Sequence, residues 1–358
     1  MAIHFHPLTV TNIYKETPDC SIVTFNVPDA FKDIFAYTHG QNITLKKIIA
    51  GQEVRRSYSI CSAPFENTLS VAVKNVAGGK FSNYVNTILQ VGDTLEVLPP
   101  TGNFNTPVHA ANKKNYLAIA AGSGITPVIS IIKTILATEQ QSTFTLVYGN
   151  QSRASIIFFE ALASLKNKYL QQFTIIHILS REQTESPVNF GRIDAIKLAE
   201  LQKVIPYSKM DDTFICGPQQ MLFCAKDFLA GLGIDKSKIH FELFNTPGTH
   251  QTAAAPVAIV ASEGEKSAIS IRLDGRTFNF DLAFNSESVL DAALKHGADL
   301  PYACKGGVCC TCRAQLVQGE VKMDVNYALE KEELAKGFIL TCQSHPLTST
   351  VVIDFDSR

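Results

Sequence analysis

The stretch "PYACKGGVCCTCRAQL", residues 301–316, sets Cys304, Cys309, Cys310 and Cys312 within nine positions, and a further cysteine, Cys342, follows in "FILTCQSHP". Taken without Cys310, the spacing is C-x4-C-x2-C…C, which suits a [2Fe–2S] cluster. Two bridged irons need four thiolates, and a short loop can wrap them only if its backbone amides reach the sulfurs. Gly306 and Gly307 lack a Cβ and permit that approach. Zinc is the alternative, but structural zinc sites use two paired cysteine hooks, whereas here three cysteines stand against one distant partner. Cys310 lies inside the x2 gap, too close to its neighbours to ligate with both, and reads as a small, weakly polar filler.

The chain has nine cysteines, an odd number, and its N-terminus, "MAIHFHPLTVTNIYKETPD", shows no basic segment leading into an apolar one. A disulfide framework and an export signal are therefore not expected, and the cysteines belong in a reducing, cytoplasmic compartment. Lys plus Arg number 32 against 33 for Asp plus Glu. That balance gives no reason to expect nucleic acid or a membrane surface as partner. The most apolar stretch, residues 116–137, is interrupted by Gly122, Ser123, Gly124, Thr126, Pro127 and Lys133. It reads as strand, tight turn and buried helix, not as a membrane span. The histidines are scattered, and His4, His6 and His177 read as surface or packing residues.

Three rhythms succeed one another, and a multidomain chain is expected. Residues 1–108 hold short β-rich runs such as "SIVTFNV", "SYSICSA" and "LSVAVKNV" between turn residues, the pattern of a small antiparallel β-barrel. Residues 109–245 alternate apolar runs, "NYLAIAAG", "FTLVYGN" and "FTIIHILSRE", with helical spacing, which predicts an α/β domain on a parallel sheet. Residues 246–266 are rich in Ala, Thr, Pro and Gly and read as a linker, with a partly ordered tract at "PVAIVA". Residues 267–358 open with a hairpin turning at Asp274-Gly275, followed by the helix "ESVLDAALKHG" and the cysteine loop, an α+β domain.

This last segment resembles a plant-type ferredoxin, a β-grasp fold, through "DLPYACKGGVCCTC" and "LTCQ". The resemblance makes Cys304, Cys309, Cys312 and Cys342 the cluster ligands. The segments before it are similar to the ferredoxin–NADP reductase family. "RRSYSI" carries its Arg-x-Tyr-Ser flavin motif as Arg56-Ser57-Tyr58-Ser59, and "GGKFSNY" carries its second phosphate loop as Gly79-x-x-Ser82. The guanidinium fork of Arg56 suits a pyrophosphate, Tyr58 offers a ring face to the flavin, and Ser59 offers a hydrogen bond near its reactive edge. FAD is expected over FMN, since Arg56 and the Gly79–Ser82 loop together can hold a pyrophosphate. The same resemblance implies cofactor contacts at Val73, Lys74, Lys80 and Phe81.

"AAGSGITPVIS" matches the family's G-x-G-[IV]-T-P through Gly122, Gly124, Thr126 and Pro127, with a helix N-terminus facing the nicotinamide nucleotide's phosphates. "CGP", Cys216-Gly217-Pro218, with Met221 beyond it, matches the motif at the nicotinamide ring. Phe244, in "HFELF", is expected to shield the flavin as an aromatic residue does in related reductases. "SREQ", residues 180–183, matches the 2′-phosphate site of plant-type ferredoxin–NADP reductases. Ser180, Arg181 and Arg153 would then favour NADPH, with NADH accepted slowly and Glu182 opposing the preference if it points inward. In module order, and in "FNTPGT" and "CKGGVCCTC", the chain is similar to the reductase subunits of multicomponent phenylacetyl-CoA epoxidases. That resemblance implies electron flow from NADPH through FAD and [2Fe–2S] to a di-iron oxygenase. A reductase for a Rieske-type oxygenase and a redox sensor share these motifs and stay open on sequence alone.

Overall fold

A computed structural model describes residues 4–244, 265–284 and 286–357. The expected linker lies outside the described residues except for 265 and 266, and the "PVAIVA" tract lies wholly outside them. The described chain divides into two compact units, one drawn from residues 7–54 and 58–244, the other from residues 4–6, 55–57 and the segment from 265 to 357.

The first unit opens with six strands: β1 (His6–Thr17), β2 (Cys20–Asn26), β3 (Asn42–Ile49), β4 (Gln52–Ser59), β5 (Leu69–Lys74) and β6 (Thr94–Thr101). They lie in the order β4-β3-β6-β1-β2-β5. An antiparallel bridge between Ile60, just after β4, and Val71 of β5 brings the two edges of this sheet together, and closure removes exposed edges. Leu8, Val10, Val23, Ile43, Leu45 and Val97 fill the interior. Helix α1 (Lys80–Thr87) follows β5 and buries Phe81, Ser82 and Val85.

The same unit continues as a parallel sheet of β7 (Asn115–Ala121), β8 (Thr143–Asn150), β9 (Phe173–Leu179), β10 (Asp212–Gly217) and β11 (Ile239–Leu243), with helices α2 (Ile125–Thr138), α3 (Phe159–Lys168), α4 (Ala195–Leu201) and α5 (Gln219–Gly231) between them. The strand order is β11-β10-β7-β8-β9. Burial on both faces explains why "NYLAIAA" and "DTFICG" read as unbroken apolar runs. The order reverses between β7 and β10, and open α/β sheets bind ligands beyond the carboxyl ends of strands at such a switch point. The stretch 116–137 folds as β7, a tight turn and α2. Among the described residues no helix is long and apolar enough to cross a membrane.

In the second unit, β12 (Lys266–Leu273), β13 (Arg276–Ala283), α6 (Val289–Lys295), β14 (Arg313–Gln318), β15 (Val321–Met323), α7 (Lys331–Ala335), β16 (Phe338–Leu340), β17 (Ser344–Pro346) and β18 (Thr350–Asp354) form a mixed sheet in the order β13-β12-β18-β14-β16, plus a small β15–β17 pair. The predicted hairpin turns at Asp274-Gly275, between the paired Leu273 and Arg276, with both turn residues at positive φ as a two-residue type I′ loop demands. Ser288 caps α6 through Asp291 N. That helix packs Val289, Leu290 and Ala293 into a core with Ile269, Ile271, Val351 and Ile353.

Candidate functional site

Strand β4 delivers the first constellation. Its last four residues are Arg56, exposed, Ser57 and Tyr58, half-buried, and Ser59, buried. The Tyr58 ring lies 5.9 Å from that of Phe81 at 38°, so Tyr58 rests on the first turn of α1. That turn is tight. Ser82 Oγ accepts from Val76 N at 3.1 Å, and a Cβ on Gly79 would come within 2.5 Å of Ser82 Oγ. Val73 is buried and Lys74 reaches Asp19 at 3.4 Å, while Lys80 stays exposed. A helix N-terminus led by glycine beside a half-exposed tyrosine fits a flavin with its phosphates at the amides. The donor set present therefore suits FAD.

A second constellation forms where β7 and β10 end. Gly124 is so close to the end of β10 that a Cβ there would lie 2.1 Å from Cys216 O. Tyr148 OH donates to Gly122 O at 3.0 Å, and Thr126 and Pro127 are buried in the first turn of α2. Cys216 is fully buried. Gly217 has φ +157, and a Cβ there would meet Met221 Cε at 2.7 Å. Pro218 precedes α5 at its N-cap. Phe244 follows β11, half-buried, and packs against the apolar core that contains Cys216 and Ile125.

The sequence reading missed two residues here. Glu242 on β11 is the register partner of Cys216 on β10, and its carboxylate accepts from Ser59 Oγ at 3.0 Å. Although the residue is only half-buried as a whole, its carboxyl end is enclosed. Burial pushes its pKa up to about 7, against the pull of hydrogen bonds from Ser59 and Asn42. Burial and the nearby Glu242 push the Cys216 thiol well above its ordinary value, so Cys216 is a neutral thiol. A glutamate inside the apolar run "HFELF" was the one available signal, since buried carboxylates are rare unless they have a task. Asn42 left no signal.

Ser180 and Arg181 follow β9, their amides donating to Asn150 O and Gln151 O at 2.9 and 2.8 Å. Arg153 N donates to Glu182 Oε2 at 2.8 Å, and the Arg153 guanidinium lies 4.7 Å from the Phe159 ring centroid. The exposed Glu182 thus links the two loops through the Arg153 amide. Beside them is a cavity of ≈ 540 Å³ lined in part by Glu16, Arg153, Phe159, Glu160 and Glu182.

In the second unit the four expected cysteines gather. Cys309 Sγ donates to Cys304 Sγ at 3.1 Å, and Cys342 contacts both Cys304 and Cys312. Contact with Cys304, then burial, pushes the Cys309 thiol well above its ordinary value, so four thiolates would be stable here only beside strong positive charge. The connected row of sulfurs, Cys309 to Cys304 to Cys342 to Cys312, fits two irons. Gly306 N donates to Cys304 Sγ at 3.3 Å, and Gly307, at φ +71, packs against Val325 where a Cβ would sit 2.8 Å from Val325 Cγ2. Cys310 Sγ donates to Ala328 O at 3.3 Å. His4 lies 3.2 Å from Asp274, and in the first unit His177 sits beside the Tyr148 and Phe159 rings.

Comparison with known proteins finds the same three kinds of segment. Family models match for the oxidoreductase FAD-binding domain at residues 7–106, the oxidoreductase NAD-binding domain at 118–227 and the 2Fe-2S iron-sulfur cluster binding domain at 271–347. The chain is 46% identical to one of the subunits of 1,2-phenylacetyl-CoA epoxidase from Escherichia coli (strain K12), over 99% of this chain and 98% of that one. It is 35% identical to the ferredoxin reductase component of 3-ketosteroid-9-alpha-monooxygenase from Rhodococcus rhodochrous, over 97% and 96%. Among solved structures, phthalate dioxygenase reductase shares the fold at 22% identity and a TM-score of 0.56, with 98% of each chain covered. The chain belongs to the family of flavin and iron–sulfur reductase components of multicomponent oxygenases.

Proposed function

We propose that this protein draws electrons from NADPH, and more slowly from NADH, and hands them through FAD and a [2Fe–2S] cluster to the di-iron oxygenase of a phenylacetyl-CoA epoxidase. The observation that carries the reading is the Ser59–Glu242 hydrogen bond of 3.0 Å, which ties the end of the flavin strand to the strand beside Cys216. When bound, FAD supplies the exchange between the two-electron chemistry of a nicotinamide and the one-electron chemistry of a [2Fe–2S] cluster. The protein's own part is binding and orientation. Arg56 and the Gly79–Ser82 turn would hold the flavin phosphates, and Tyr58 and Phe244 would offer their rings to the flavin. Gly122 and Gly124 let the nicotinamide nucleotide approach the start of α2, while Cys216 and Glu242 meet its ring. Ser180 and Arg181 hold the 2′-phosphate, with Glu182 limiting the preference. Cys304, Cys309, Cys312 and Cys342 would hold the cluster, and Gly306 N–H donates to Cys304 Sγ. Thiols that must stay reduced until the cluster is built put the protein in the cytoplasm.

The 46% identity to a component of an epoxidase, against 35% and 30% to reductases of other monooxygenases, supports the named acceptor. The test is anaerobic titration of the purified protein with NADPH, followed by reconstitution with separate oxygenases. Flavin and iron–sulfur absorption should bleach together, and phenylacetyl-CoA oxidation should depend on this chain. Turnover with a Rieske-type oxygenase instead would reassign the acceptor. Absence of steady NADPH-dependent reduction of an artificial one-electron acceptor would favour a redox sensor.

A further inference from the structure

Arg55 stands immediately before the flavin motif, in the same compact unit as the cysteine loop. It is 5% exposed, and a guanidinium is seldom buried unless its charge is held. Its Nη2 donates to Asp299 Oδ1 at 2.9 Å and its Nη1 to Leu300 O at 3.2 Å. The planar group also covers the Tyr302 ring, with Cζ 4.2 Å from the ring centroid, and lies 5.0 Å from that of Phe5. Asp299, Leu300 and Tyr302 lead into Cys304, the first of the four cluster cysteines. One side chain thus grips that segment through a carboxylate, a carbonyl and a ring face, a combination that suits the fork of arginine and not the point charge of lysine. A second cation reaches the same ring, since Lys305 Nζ lies 4.7 Å from the Tyr302 centroid. Its surroundings differ. The Lys305 side chain is 41% exposed and pairs with Asp291 at 2.6 Å, so water and a carboxylate damp its charge. The Arg55 side chain is 4% exposed and that of Asp299 75%, so solvent screens the carboxylate more than the guanidinium.

We propose that Arg55 sets the reduction potential of the iron–sulfur cluster: fixed on the lead-in to Cys304, its buried positive charge favours the reduced state. This rests on the reading that Cys304, Cys309, Cys312 and Cys342 ligate a [2Fe–2S] cluster. Reduction adds one negative charge to a centre that four thiolates already make anionic. A neighbouring cation stabilises the more negative form, and net charge is among the factors that set such potentials. Arginine suits the task because it keeps its proton in proteins, and the hydrogen bonds to Leu300 O and Asp299 fix where the charge stands. No bond forms or breaks at Arg55, and the electron arrives by the route proposed above. Replacing Arg55 with a neutral residue takes one positive charge from beside this segment, whichever carboxylates surround it.

The test is a redox titration of the holo protein with dithionite and mediators, followed by the electron paramagnetic resonance signal of the reduced cluster. Arg55→Gln keeps an amide donor for Leu300 O or Asp299 and removes the charge. It should lower the equilibrium constant for reduction about tenfold, a fall of about 59 mV for one electron, the size of one charge interaction at the intermediate dielectric of a protein. Arg55→Lys keeps the charge and loses the fork, and should stay within about twofold of the parent, or about 18 mV. Arg55→Met carries the neutral arm if Arg55→Gln loses fold or iron, which the melting temperature and iron content report. A parent protein loaded with iron and sulfide that gives no such signal sinks the cluster reading. With the signal present, a neutral variant whose potential matches the parent's, or an equal fall in Arg55→Lys, overturns the role of Arg55.

Discussion

Gly122 and Gly124 stand two residues apart in one turn, yet they are glycine for different reasons, and alanine at each should show it. A Cβ on Gly124 would lie 2.1 Å from Cys216 O, 2.4 Å from Cys216 C and 2.8 Å from Gly217 N. These are backbone atoms at the end of β10, and Cys216 is in register with Ala120 on one side and Glu242 on the other. Relief requires a shift of about 1 Å in β10, which is paired on both sides, by β7 and β11. Overpacking against mobile side chains costs about 1–3 kcal/mol; against a strand paired on both sides the cost should be about 3 kcal/mol or more. For a unit of this size that is a fall in Tm of about 6–12 °C. At Gly122 nothing lies within 4 Å of the built Cβ, but φ is +54. Alanine there incurs only the left-handed backbone penalty of about 1–2 kcal/mol, or about 2–8 °C. Thermal unfolding followed by far-UV circular dichroism on the holo protein ranks the two. Gly124→Ala should also lower kcat for NADPH oxidation, because displacing Cys216 moves it relative to Glu242, whereas Gly122→Ala should act mainly on KM. A Gly124→Ala protein that melts within about 2 °C of the parent, or above Gly122→Ala, would refute the close-approach argument.

Three further outcomes are expected. Cys310→Ser should keep about two irons per chain, with iron lost in Cys309→Ser; equal loss in both would remove the ligand assignment. Phe244→Ala should alter the flavin absorption spectrum and the rate of nicotinamide oxidation, and no change in either would make Phe244 a packing residue only. Arg181→Ala should reduce kcat/KM for NADPH by about ten- to a hundredfold, the worth of a charge-assisted contact, and leave NADH nearly untouched. Equal loss for both cofactors would make Arg181 structural.

The parts of this protein that could be read from the sequence are those written in consecutive residues. Three of the four proposed cluster cysteines sit in one loop, the flavin motif is the end of a single strand, and the Gly122–Pro127 turn carries its own strand and helix on either side. Alternation of buried strands and helices likewise announced the parallel sheet, because each apolar run is local. Phe244, Arg153 and Arg181 were named from short local stretches in the same way, and nothing in the sequence showed that Glu182 would accept from Arg153 N.

Glu242 lay beyond that kind of reading because it belongs to no motif; it takes its proposed role only through register. Glu242 meets Ser59 across 183 positions of chain, and it faces Cys216 because β11 pairs with β10 in one register and not the next. A slip of one residue would turn its carboxylate to the other face of the sheet. The sequence therefore points to the groups proposed to hold the cofactors, while the charge proposed to meet the nicotinamide ring is set by pairing between distant strands. Burial raises Glu242 and two neutral donors lower it, and the Cys216 thiol beside it stays protonated. Burial is thus the larger influence on the Glu242 carboxyl, pushing its pKa up to about 7, and the hydrogen bonds it accepts only oppose that rise.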